Sequence, residues 1–322
     1  MTKFSPLLWA WRAAPKLPAP LLYGALQIGA DFTWLRRTKG VRRLESNLLR
    51  VQPNLSKRQL RKLSRIGMRS YMRYYADVLS VPAMTTEQLA ARVRISNIAG
   101  VNAELAAGRS VVLALGHLGN WDWAGAWAAK HFGSLVTVAE RLKPEELFQE
   151  FKGMRESLGM TIYALESGSG GSVFRELLRD ARSGGTAIAL LADRDLTSGG
   201  IEVPAFGELT RVAAGPAALS IAAGIKVFPT VITYERLYGQ RRRAAGRKWG
   251  IHVDFQEAVS AADFPDAPKD QLANLISETW YTRWARGIKS HPQDWHMLQR
   301  VFVSDLDPTR DAKVRAAGGE GT

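Results

Sequence analysis

From Pro82 onward the apolar positions fall into two alternating rhythms. Short runs dense in Val, Ile, Leu and Ala (Val93-Arg94-Ile95, Val111 to Leu115, Leu135 to Ala139, Met160 to Leu165 and Ala187 to Leu191) read as buried strands. Between them the segments Val101 to Ala107, Asn120 to Lys130, Pro144 to Leu158 and Ser172 to Arg182 space their apolar residues as helices do. Asn120 is suited to cap the second of these and Gly133 to close it. Strands separated by helices predict an α/β fold, with a largely parallel central sheet flanked by helices. A turn at Gly199-Gly200 follows, then a helix over Gly215 to Ala223, strands over Val227 to Tyr234 and Ile251 to Phe255, and a helix from Gln271 to about Lys289. Arg236 to Lys248, which holds Arg241, Arg242, Arg243, Arg247 and Lys248, is expected as a long exposed hairpin between the last two strands.

Ahead of this core the pattern is helical and basic. Leu7-Leu8-Trp9-Ala10-Trp11 and a Pro-punctuated turn (Pro15, Pro18, Pro20) precede Leu21 to Leu35. That run is apolar for roughly 15 residues and is interrupted by Gln27 and Asp31, short of the about 20 needed to span a bilayer. It reads neither as a transmembrane helix nor as a cleaved signal, because no small-residue cleavage site follows it. Aromatic residues Tyr23, Phe32 and Trp34, next to Arg36, Arg37 and Lys39, suit a helix lying in the membrane interface. From Val41 to Val81 apolar residues recur at helical spacing, and Pro53 divides two helices. The expected division is a basic helical docking segment over 1–81 packed on the core, an α/β core over 82–306, and a disordered tail over 307–322.

Charge sharpens this division. Residues 1–80 hold 16 Lys and Arg against three acids (Asp31, Glu45, Asp77), so nearly all of the chain's net +14 lies in its first quarter. Such a segment suits an anionic surface, either acidic lipid headgroups or nucleic acid through residues 36–73. The 322 residues contain no cysteine, which excludes disulfides, thiolate metal sites and a cysteine nucleophile. Chemistry must therefore rest on His, carboxylates, hydroxyls and cations.

Of five histidines, none forms an H-x-x-x-H or H-E-x-x-H pattern, so no metal site is expected. His117 stands apart because Gly116 and Gly119 place it in the turn between a strand and a helix, where α/β folds put their sites. A neutral imidazole there suits removal of a proton from an attacking alcohol, and a carboxylate on its other nitrogen would fix the tautomer. Two carboxylates qualify. Asp122 is five residues away in the first helical turn, and Asp193 follows a strand that should end at the same sheet edge. Arg194 next to Asp193, Glu140 and Arg141 after another strand, and Arg155 on the next helix line the same rim as candidate substrate-binding residues. The Gly-rich Ser167 to Gly171 run lacks the Gly-Lys-Ser/Thr ending of a P-loop. A hydrolase would want a Gly-x-Ser-x-Gly elbow at a strand end, and the chain has none.

Taken together, Gly116-His117-Leu118-Gly119-Asn120-Trp121-Asp122, Ala139-Glu140-Arg141-Leu142-Lys143-Pro144, Arg155-Glu156-Ser157-Leu158-Gly159, Asp193-Arg194-Asp195-Leu196 and Asp294-Trp295-His296-Met297-Leu298 resemble the phosphatidylinositol mannoside acyltransferases. These are relatives of the lipid A biosynthesis lauroyl acyltransferases with their H-x4-D motif, and the resemblance runs from about residue 20 to 306. It implies a peripheral enzyme of the cytoplasmic face of the plasma membrane. The enzyme would move a fatty acyl chain from acyl-CoA, used as co-substrate with no other cofactor, to a mannose hydroxyl of phosphatidylinositol mannoside or to another glycolipid or lysophospholipid. It further implies His117 as base and Asp122 and Asp193 as orienting or supporting carboxylates. Anionic membrane lipids would then be the surface partner in place of nucleic acid, and a monomer is expected. The mannoside branch carries Glu-Arg where this chain has Asp193-Arg194, and the lipid A branch carries Asp there.

Overall fold

The computed structural model describes residues 17–81, 84–141, 144–165, 170–195 and 199–306. Leu7 to Trp11, Ser167 to Ser169, Leu142-Lys143, Leu196 and the tail from Asp307 lie outside the described residues. Three helices lead: α1 (Ala19–Leu35), α2 (Lys39–Val51) and α3 (Lys57–Ser80). The alternating part runs α4 (Thr86–Arg92), β1 (Val93–Ser96), α5 (Ala99–Ala106), β2 (Val111–Leu115), α6 (Trp121–Phe132), β3 (Leu135–Glu140), α7 (Glu145–Ser157), β4 (Thr161–Leu165), α8 (Gly170–Ser183) and β5 (Ala187–Leu191). A hairpin of β6 (Ile201–Ala205) and β7 (Glu208–Val212) comes next, followed by α9 (Gly215–Ala223), β8 (Lys226–Arg236), α10 (Gly239–Ala245), β9 (Trp249–Phe255) and α11 (Leu272–Ser290).

Seven strands form one sheet in the order β1-β9-β8-β2-β5-β3-β4, and β6 and β7 pair separately. Every neighbouring pair in the large sheet is parallel except β8 and β9. The architecture is thus the α/β sheet that the alternation predicts. Alternate residues of a strand point to opposite faces, and the central strands are apolar on both. Val112, Ala114, Ile188 and Leu190 enter one core with Trp280, Tyr281 and Trp284 of α11. Val111, Leu113, Leu115 and Ala187 enter the other with Trp123 and Ala126 of α6. A strand buried on both faces keeps no polar rhythm of its own, so only its ends are free to carry chemistry.

The N-terminal helices form a third apolar cluster, Ala30, Val41, Leu44, Leu48 and Met68. Ser56 and Gln59 cap the start of α3 reciprocally. Buried polar bonds tie these helices to the core: Ser70 donates to Asp294 at 2.8 Å, and the Asn47 side-chain amide donates to the carbonyls of Met297 and Gln299 at 3.0 and 2.9 Å. Much of the basic face is also paired internally. Asp31 is clamped by Arg65 and Arg69, and Glu45 by Arg37 and Arg61.

Two expectations are corrected. The basic stretch joins the antiparallel β8 and β9 and is largely exposed, as a long hairpin would be, but seven of its residues wind into α10. That helix packs on α4, where Arg92 donates to the carbonyl of Ala245 at 3.1 and 2.8 Å. The region after Gly199-Gly200 is not merely a turn but the β6–β7 hairpin, closed at Phe206-Gly207, both of which have positive φ.

Candidate active site

Strand pairing places the site. Leu115 of β2 lies level with Leu191 of β5, and the Ala192 amide still donates to the Leu115 carbonyl at 2.9 Å. His117 and Asp193 each follow two residues beyond a paired strand end, so the register sets them side by side. Asp193 gives one oxygen to the His117 backbone N–H at 3.0 Å and the other to the ring Nδ1 at 2.7 Å. Its side chain is 1% exposed, whereas that of His117 is 22% exposed. Burial works against the charge on Asp193, yet attraction to His117, its hydrogen bonds and Arg194 outweigh this and hold the carboxyl below its ordinary range. With a carboxylate accepting at Nδ1, the ring proton sits there and Nε2 is left as the basic nitrogen.

Glycine makes the turn. A Cβ at Gly116 would lie 2.1 Å from the Trp284 ring and 2.6 Å from Cβ of Asp193. Gly119 has φ +66°, and a Cβ there would stand 2.4 Å from the Ile232 carbonyl oxygen. The Asn120 side chain then accepts from the Trp123 N–H at 3.0 Å and starts α6. The far wall is the segment after α11: His296 N–H donates to the His117 carbonyl at 2.8 Å, and Gly119 N–H to the Asp294 carbonyl at 2.9 Å.

Asp122 does not reach His117. Its carboxylate is 2% exposed and is occupied by Arg155, through Nε at 2.6 Å and Nη2 at 3.2 Å, and by the Tyr74 hydroxyl at 2.6 Å. Burial disfavours the Arg155 cation, but Asp122 more than compensates and its pKa rises. Tyr74 stacks on Trp121, with centroids 4.2 Å apart, and Trp121 meets the His117 ring edge-on at 5.4 Å. The carboxylate nearest in sequence therefore builds the wall beside the imidazole, while the more distant one pairs with it.

The other predicted residues sit along the same edge at different depths. Glu140 is exposed at the end of β3, two strands from β2, roughly 10 Å away by ordinary strand spacing. Arg141 pairs with Glu145 at 2.6 Å. Arg194 is half-buried, with Nη1 3.9 Å from the Met297 sulfur. Sequence reasoning missed Tyr74, Ser70 and the part played by Asp294 and His296. Ser70 bridges Asp294 and His296, Asp294 also accepts from the Tyr234 N–H at 2.9 Å, and burial pushes His296 down to about 3 so that its ring is neutral. The run Asp294-Trp295-His296 was the available signal for that wall.

Trp121, Asp122 and Arg155 also border a narrow apolar slot between α6 and the sheet, lined by Leu113, Leu115, Trp127, Met160, Ile232 and Phe255 among others. Its free volume is about 50 Å³, well under the roughly 300 Å³ of an open small-molecule pocket. Among the described residues no three His, Asp or Glu side chains gather as a metal site. No helix among them is long and apolar enough to cross a membrane.

Residues 5–304 match the family model of the bacterial lipid A biosynthesis acyltransferases. The chain belongs to that family. It is 36% identical over 306 residues to the phosphatidylinositol mannoside acyltransferase of Mycolicibacterium smegmatis (strain ATCC 700084 / mc(2)155), covering 94% of this chain and 92% of the relative. The protein of the same name from Mycobacterium tuberculosis (strain CDC 1551 / Oshkosh) is 36% identical over 310 residues, covering 95% and 90%. For a lipid A biosynthesis acyltransferase family member, the strand-end His117 next to a carboxylate is the natural place to look for the transfer chemistry.

Proposed function

We propose that the protein transfers a fatty acyl group from acyl-CoA to a mannose hydroxyl of phosphatidylinositol mannoside, acting peripherally on the cytoplasmic face of the membrane. The observation that carries this reading is the 2.7 Å bond between His117 Nδ1 and Asp193, in a chain whose relatives are named phosphatidylinositol mannoside acyltransferases. Nε2 takes the proton of the acceptor hydroxyl as its oxygen attacks the thioester carbonyl carbon. The tetrahedral intermediate collapses with cleavage of the C–S bond, and the imidazolium returns the proton to the departing thiolate. Asp193 stabilises the imidazolium between the two steps. The N-terminal end of α6 lies beside the developing oxyanion and favours its charge. On the surface, Leu21 (63% exposed), Ile28 (73%) and Leu35 (67%) form one stripe of α1 together with Phe32, the side that sits in the lipid interface.

His117→Ala tests the reading. The ring is partly exposed and its loop is held by backbone bonds, so the variant is expected to fold with an unchanged circular dichroism spectrum. Mass spectrometry after incubation with palmitoyl-CoA and phosphatidylinositol dimannoside is expected to show loss of acylated product. Turnover retained in that variant would overturn the assignment of the base.

A further inference from the structure

A second cavity lies apart from the slot beside His117, an open cleft of about 1100 Å³ between α1, α3 and the α10 segment. Among the described residues six cations line it, Arg69, Arg73, Arg242, Arg243, Arg247 and Lys248, against a single carboxylate, Asp77. Asp77 is fully buried and accepts from the hydroxyls of Tyr23 and Tyr234, so its one charge offsets only part of the cationic lining. Arg69 has a partner in Asp31. Arg73 does not: among the described residues it forms no ion pair. The residue is 9% exposed, and its guanidinium rests instead on the rings of Trp249 at 3.8 Å and Tyr234 at 4.8 Å. Arg247 likewise rests on Tyr23 at 5.1 Å. Arg73 is nearly buried without an ion pair, its opposing charges being the buried Asp77 and Asp294, and the exposed Arg242 and Arg243 and the half-buried Arg247 converge on the same cavity; cations so gathered describe a site completed by an anion from outside. Arginine forks suit the paired oxygens of a phosphate.

The rim of the cleft tells which kind of phosphate. Pro20, Tyr23, Gly24 and Gln27 of α1 line it, and the adjacent face of the same helix carries the exposed Leu21 and Ile28. Ile66 of α3, also exposed, is part of the lining. A phosphate that arrives with alkyl chains finds cations within the cleft and apolar surface at its lip, while a free nucleotide gains only the first.

We propose that this cleft binds the phosphodiester headgroup of the lipid acceptor, holding it by Arg73, Arg242, Arg243 and Arg247 while the sugar reaches toward His117. The acceptor's identity rests on the function proposed above, but binding of the headgroup is measurable without catalysis. A link to the site is present: Asp77, at the base of the cleft, is 3.5 Å from the side-chain nitrogen of Asn120, three residues from His117.

The test is calorimetric titration with monomeric dihexanoyl phosphatidylinositol, and with dihexanoyl phosphatidylcholine as the comparator without net charge. The cleft variant is Arg242→Ser/Arg243→Ser/Arg247→Ser, and the charge-matched control is Lys57→Ser/Arg58→Ser/Lys62→Ser on the exposed start of α3. Thermal melts confirm that both fold. Wild type and control are expected to bind the inositol lipid and not the choline lipid, and the cleft variant to bind it more weakly by roughly tenfold or more. Saturating CoA is expected to leave the binding in place. Absence of binding to wild type, equal weakening in the control, equal affinity for the choline lipid, or displacement by CoA would each overturn the proposal, the last by making the cleft a donor-phosphate site. His117→Ala is expected to bind the inositol lipid like wild type, so failure of the cleft and failure of the catalytic reading give different results.

Discussion

Asp193 gives both oxygens to one residue, the backbone N–H and the ring of His117, whereas both oxygens of Asp122 go to Arg155 and Tyr74. This division predicts opposite phenotypes for the same change. In Asp193→Asn an amide N–H faces Nδ1, so the ring prefers the tautomer protonated at Nε2 and has no base to offer. Acyl transfer is expected to fall by roughly 10³- to 10⁴-fold with the melting temperature little altered. In Asp122→Asn a buried guanidinium loses its counter-charge. Urea denaturation is expected to show a loss of about 3 kcal/mol, part of which Arg155→Met in the same chain should restore. A stable Asp122→Asn with low activity would instead place Asp122 in the chemistry. Both carboxylates were visible in the sequence as candidates, and Asp193 was legible as a partner because parallel strands end together. That Arg155 would take Asp122 was not legible: it depends on where α7 lies over α6, and on α3 bringing Tyr74 in from 48 residues away.

Among the elements, the buried strands and long helices were read within a few residues, because the strands are short unbroken runs rich in Val, Ile and Leu bounded by turn residues, while the helices keep a helical spacing over a longer stretch. β6 and β7 were missed for a physical reason. Pro204 lies within β6, and Glu202 and Arg211 pair on the face opposite Val203 and Val212, so the segment has the composition of a loop and gains its order from Val203, Ala205 and Val212 entering the core beside α11. α10 was misread because its arginines give it no apolar face; Ala245 is its single buried side chain. α1 is the converse case, a helix with only Leu22 and Ala30 buried and an apolar stripe left in water. Because Leu21 and Ile28 touch so little of the protein, Leu21→Ser/Ile28→Ser is expected to leave thermal stability within about 0.5 kcal/mol. Cosedimentation with vesicles of phosphatidylinositol and phosphatidylcholine is expected to weaken roughly tenfold or more, since each side chain forfeits burial in the lipid interface worth roughly 1.5–3 kcal/mol at most. Unchanged cosedimentation would show that another surface meets the membrane.

Over the whole molecule, charge is distributed so that acids cancel part of the basic segment and leave most of the cleft's cations without a partner acid among the described residues. Asp31 and Glu45 are held below their usual range by paired arginines and stay ionised under mildly acidic conditions. Asp77 is the exception. Burial pushes its carboxyl up to about 6 against the opposing pull of the hydrogen bonds from Tyr23 on α1 and Tyr234 on β8, and of Arg73 on α3 and Arg92 on α4. Arg247 beyond α10 faces Tyr23 of the same cluster. Between pH 7 and pH 5 the cleft therefore loses its one negative charge while a phosphodiester keeps its own. Dihexanoyl phosphatidylinositol is expected to bind wild type more tightly at pH 5 than at pH 7, and Asp77→Asn with an affinity that changes little between the two. Stability carries the same sign. A carboxyl whose folded pKa is raised contributes stability fully present below its unfolded value near 4 and lost as pH rises through about 6. Urea denaturation of wild type, compared with Asp77→Asn at pH 5 and pH 7, is expected to show the variant gaining relative stability at the higher pH. The comparison between the two chains removes Asp294, a second buried carboxyl raised by burial that both retain. An Asp77→Asn chain whose lipid affinity still rises as the pH falls would place the titrating group elsewhere and detach Asp77 from the cleft.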